Sequence, residues 1–163
     1  MPGFSDSFLW GATLIGHSVE GGNFDSDWWP WEQRPGRIAG DATSQVGAGH
    51  ARHWRQDYKL AAKLGIKAVT LCPEWSRIEP QKGQFNAEAL AEVAERAKEL
   101  RNLGIEPVLV LQAVTLPQWL SRRGGWLAGG LAEAQFTQYT QEGLKAHGET
   151  ARRPRTPVSG EST

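Results

Sequence analysis

The chain has 163 residues, 18 of them basic and 18 acidic, so its formal net charge is zero. This length suits one hydrophobic core and argues against two domains. Zero net charge gives no electrostatic reason to expect nucleic acid or an anionic membrane surface as partner.

The first residues, Met1-Pro-Gly-Phe-Ser-Asp6, carry no basic segment followed by a long apolar one. No cleaved leader is therefore expected, and the cytoplasm is the expected location. No run approaches the roughly 18 apolar residues that a membrane-crossing helix needs. A first strand is predicted over residues 8–16. A loop over residues 20–49 follows, rich in Gly, Asp and Trp and too long for a plain connection. Residues 51–64 read as a helix, with Trp54, Tyr58, Ala61 and Leu64 at three- and four-residue spacing and Gly65 as the stop.

A second strand is predicted over residues 68–72, ended by Pro73. Asn86 fits an N-cap, and Glu88 suits the positive end of the helix dipole. The helix it opens runs to Leu103, with Leu90, Val93, Ala97 and Leu100 on one face. Strand three covers residues 108–111, and a last helix, weakened by Gly143, covers residues 131–146. Leu103-Gly-Ile-Glu-Pro-Val-Leu-Val-Leu111 repeats the pattern of Leu64-Gly-Ile-Lys-Ala-Val-Thr-Leu71. Each copy runs from a helix end through a left-handed Gly into an apolar strand, and the absence of alternation predicts burial on both strand faces. Helix, glycine and buried strand in repetition announce a parallel α/β sheet or barrel. From His147 onward no apolar period remains. The expected organisation is an α/β domain over 1–146 and a disordered tail over 147–163.

Several groups are candidates for chemistry. Glu20, Glu74 and Glu79 lie near strand ends, where α/β barrels place their active residues. Glu20 and Glu79 are expected to pair with arginines such as Arg77, which leaves Glu74 as the carboxylate worth keeping. His17, His50 and His53 lack partners at metal-ligand spacing, so they read as structural and no metal is expected. Cys72, the single cysteine, reads as a small core thiol. Eight tryptophans suit either cores or platforms for sugar rings, and Trp28, Trp29, Trp119 and Trp126 are the platform candidates.

Certain segments go together: Phe8-Leu9-Trp10-Gly11-Ala12, Val19-Glu20-Gly21, Asp27-Trp28-Trp29-Pro30-Trp31-Glu32 and Pro35-Gly36-Arg37-Ile38. They are followed by His50, Trp54 and Asp57, by Glu74-Trp75-Ser76-Arg77-Ile78-Glu79-Pro80, by Leu116-Pro117-Gln118-Trp119-Leu120 and by Gly124-Gly125-Trp126. In this order and spacing, over residues 4–139, the sequence resembles glycoside hydrolase family 1, the β-glucosidase family.

The resemblance implies a (β/α)₈ TIM barrel of which this chain carries the first three βα units, since a complete barrel takes about 250 residues. It also implies a β-linked sugar as ligand, hydrolysis with retention and no cofactor. Retention needs two carboxyl groups about 5 Å apart. In the family these lie in an Asn-Glu-Pro segment after strand four and a Glu-Asn-Gly-like segment after strand seven. Neither tripeptide occurs here, and the first would fall near residues 158–160. No catalytic residue is therefore assigned, and the chain alone is expected to be inactive. Ser18 stands where the family carries a sugar-binding glutamine, Thr70 where strand two carries an arginine, and Ala113 where a histidine follows strand three. Gln112 precedes Ala113 and would serve only after a one-residue slip that turns it to the other face. The substrate-binding candidates are Ser18, Gln112, Trp119 and Trp126. Two other readings remain open: a non-catalytic carbohydrate-binding module, and a subunit that self-associates or completes its barrel with another chain through an exposed edge.

Overall fold

The computed structural model describes residues 3–5 and 7–147. In chain order the elements are β1 (Gly11–Ala12), α1 (Gly16–Glu20), α2 (Trp28–Glu32), α3 (His50–Lys63), β2 (Ala68–Leu71), α4 (Trp75–Ile78), α5 (Ala87–Asn102), β3 (Glu106–Leu109), α6 (Gln118–Ser121) and α7 (Gly130–His147). The three strands form one parallel sheet in the order β1-β2-β3. Gly11 is in register with Ala68, and Val69 and Leu71 with Pro107 and Leu109. Helices α3 and α5 supply the crossovers that parallel neighbours require.

The helix–glycine–strand pattern is realised at both predicted places, with Gly65 at φ 78° and Gly104 at φ 72°. These are left-handed conformations that glycine adopts without a Cβ penalty. Asn86 caps α5 as expected, its Oδ1 accepting from the Glu88 and Ala89 amides at 3.0 and 3.1 Å. Two buried clusters form the interior. Trp54, Tyr58, Val69, Leu71, Leu100 and Ile105 lie between β2 and helices α3 and α5. Trp75, Ile78, Leu90, Leu116, Leu120 and Tyr139 form the second, near the carboxyl ends of the strands.

Several expectations need correction. β1 pairs over two residues rather than 8–16, because the Leu14 amide donates to the Thr70 hydroxyl at 2.9 Å instead of a strand carbonyl, and Gly16 already opens α1. The segment 20–49 is not plain loop, since it contains α2 and a 3₁₀ turn at Ala39–Asp41. Leu64 leaves the α3 apolar face and is 72% exposed, because the chain turns at Gly65 just beyond it. Strand burial is one-sided: Val69 and Leu71 are buried, whereas Glu106 and Val108 are exposed, Val108 by 45%. Thr70 and Val108 share a sheet face that no layer among the described residues covers. α7 runs one residue beyond each predicted end, through Gly143. Of the expected tail over 147–163, only His147, the last residue of α7, is described; 148–163 lie outside the described residues.

Candidate functional site

The carboxyl ends of the three strands lead into loops that converge on Glu74. Glu74 follows β2 and is 4% exposed. Its Oε1 accepts from the His17 backbone amide at 2.8 Å. Its Oε2 accepts from Asn23 Nδ2 at 2.8 Å and from the Thr115 hydroxyl. Gly16 makes the space, since a Cβ there would lie 2.7 Å from Glu74 Cγ. Asn23 in turn accepts from the Ser76 hydroxyl at 2.6 Å. His17 sits between Asn23 Nδ2 and Ser26 Oγ on its Nδ1 side, at 3.3 and 3.4 Å, and Glu32 Oε2 on its Nε2 side, at 3.4 Å. An amide donor on Nδ1 selects the tautomer that donates from Nε2 to the carboxylate. Glu32 Oε1 accepts from the Ser44 amide and hydroxyl at 3.0 and 2.7 Å.

Burial raises the Glu74 carboxyl above its ordinary value, offset in part by the bonds from Thr115 and His17 and reinforced by the nearby Glu20 charge. Glu20 pairs with Arg96 and, at 3.6 Å, with Arg77 as the sequence suggested. Glu79 departs from that expectation. Its oxygens take the Trp75 indole N–H and the Gly83 amide, each at 2.7 Å, because Trp75 lies one helical turn before it. His50 is structural, with Nδ1 2.6 Å from Asp57 Oδ2. Among the described residues no group of three His, Cys, Asp or Glu side chains could hold a metal ion.

Of the four substrate-binding candidates, Trp119 and Trp126 both pack against Trp75, while Ser18 and Gln112 are each bonded to a nearby backbone carbonyl. Ser18 is exposed on α1 and donates to the Ile15 carbonyl at 3.1 Å. Gln112 Nε2 donates to the Thr115 carbonyl at 2.6 Å. Trp119 is half-buried, donating to the Glu79 carbonyl at 2.9 Å and meeting Trp75 edge to face. Trp126 is 47% exposed and leans on Trp75 and Phe136. Trp28 is exposed beside Trp31, and Trp29 meets Phe24 edge to face. The sequence reading missed Asn23, Ser26, Glu32 and Thr115. Only the polar run in the long loop and the unusual Glu74 after a strand hinted at them.

The family model of glycosyl hydrolase family 1 matches residues 2–155. Over 152 residues the chain is 30% identical to Beta-glucosidase A of Acetivibrio thermocellus, covering 90% of this chain and 34% of that protein. It is 31% identical over 140 residues to Thermostable beta-glucosidase B of Thermobispora bispora, covering 83% of this chain and 29% of that one. Among solved structures, the beta-glucosidase from Thermotoga maritima in complex with cyclophellitol superposes with a TM-score of 0.86 at 28% identity, over 92% of this chain and 36% of the other. The chain thus spans about a third of the length of the relatives it matches. Its three parallel βα units are the part of a (β/α)₈ barrel that the sequence implied. With the family model matched from residue 2 to residue 155, the chain belongs to glycosyl hydrolase family 1.

Proposed function

We propose that this chain supplies the first three βα units of a β-glucosidase-like site, that it contacts a β-linked sugar there, and that these 163 residues alone do not hydrolyse it. One observation carries the reading. Glu20, Glu74 and Glu79 near the strand ends, and Glu32 beyond His17, are all engaged by an arginine, histidine, indole, hydroxyl or amide, the loosest contact being Glu20 Oε2 with Arg77 Nε at 3.6 Å. A retaining glycosidase instead needs one carboxylate free to attack and a second free to protonate the leaving oxygen. The absence of both Asn-Glu-Pro and a Glu-Asn-Gly-like tripeptide supports the same reading. In the complete scheme those two groups come from later βα units, and no cofactor takes part.

The test is an assay of the purified chain on an aryl β-glucoside, with tryptophan fluorescence followed during sugar titration. No turnover is expected, together with a saturable fluorescence change that Trp126→Ala or Trp28→Ala reduces. Turnover abolished by a single Glu→Gln change would overturn the inactivity. A flat titration at high millimolar sugar would remove the sugar contact.

A further inference from the structure

Four helices meet beside Glu74 around one polar cavity of about 40 Å³. Glu20 lines it from α1, Tyr58 from α3, Arg77 from α4 and Arg96 from α5, with Val19 and Val93 among its apolar walls. Arg96 holds both Glu20 and Glu92. Arg77 donates from a terminal nitrogen to the Gly21 carbonyl. Two buried groups at this junction have no hydrogen-bond partner among the described residues, the Tyr58 hydroxyl and the Arg77 Nε–H. Tyr58 is 1% exposed, and burial raises it, so the phenol keeps its proton and needs an acceptor. Arg77 Nε stands 3.6 Å from Glu20 Oε2, too far for a direct hydrogen bond.

We propose that this cavity is a hydration site, in which water accepts from the Tyr58 hydroxyl and the Arg77 Nε–H and donates to Glu20 Oε2. A buried polar group left without a partner is costly, and internal waters are held where about two to four such groups converge. A water needs roughly 10–15 Å³ of such space, so the cavity has room for more than one. Opposite charges standing just beyond hydrogen-bond reach are also where a bridging water fits. The charges around the cavity favour a neutral guest. Arg77 and Arg96 repel a cation, whereas Glu20 and Glu74 repel an anion. Glu74 borders the cavity with its oxygens already taken by His17, Asn23 and Thr115. The water ties α1 and α4, which follow β1 and β2, to α3 and α5. This inference goes beyond the proposed sugar contact and does not depend on it.

A high-resolution crystal structure of the full chain reads the site directly. Solvent density is expected within hydrogen-bond distance of Tyr58 Oη and of Arg77 Nε. Either atom left dry, or bonded directly to another protein group, overturns the inference. Urea denaturation of Tyr58→Phe gives a second readout. Losing a hydrated hydroxyl is expected to lower the folding equilibrium constant about two- to tenfold. An unchanged or higher constant marks an unhydrated hydroxyl whose removal relieves its burial, and it overturns the site. Should Tyr58→Phe not fold, the density at the two atoms decides alone.

Discussion

At the residue scale, the environment of a side chain departs from what its type suggests. Cys72 is a half-buried thiol beside Glu74, and burial first, then the neighbouring carboxylate, push it up to about 11 from 9.0. The raised value disfavours the thiolate, which is the reactive form. Alkylation by iodoacetamide at pH 8 is expected to be about a hundredfold slower than for an ordinary thiol, because two units of separation leave that much less thiolate. Mass spectrometry of the alkylated chain measures it, and a rate matching a free thiol defeats this account. Tyr58 and Tyr139 are likewise raised by burial, so neither is a candidate base at neutral pH.

At the element scale, α5 is the strut of the molecule. Asn86 starts it, Leu90 points it into the second cluster, and Leu100 anchors it in the first. Ten residues of helix separate the two leucines by about 15 Å. Each Leu→Ala change is expected to cost about 2–5 kcal/mol through lost burial and the cavity left behind. At that separation the two losses should add to within about 0.5 kcal/mol. Urea denaturation of the single and double variants measures this, and a large coupling would show one continuous core instead of two.

At the scale of the whole molecule, the sheet has, among the described residues, two unpaired edges and one uncovered face. β1 and β3 are the edges, and Val108 is exposed on the open side. Parallel sheets are ordinarily covered on both faces, and an exposed apolar edge invites pairing with another chain. The chain is therefore expected to self-associate, and Val108→Lys to weaken that association by placing a charge on the open face. Sedimentation equilibrium decides: a monomer at every concentration studied rules the association out. Around the N-terminus, Phe4, Phe8 and Trp10 pack tilted or edge to face against one another while still exposed, a second apolar surface without a cover among the described residues.

What the sequence determined by itself was local and periodic: the glycine stops at Gly65 and Gly104, the Asn86 cap, the α3 and α5 stripes and the three parallel βα units. The family was legible too, from the order and spacing of the segments between residues 4 and 139, and the family model matches residues 2–155. The hub at Glu74 was not. Its partners His17, Asn23 and Thr115 are 57, 51 and 41 positions away along the chain. The break in β1, the partners of Glu79 and the one-sided burial of β3 were hidden for the same reason. Propensity reads a residue against its near neighbours, whereas burial and hydrogen-bond satisfaction depend on which distant segments the fold brings together.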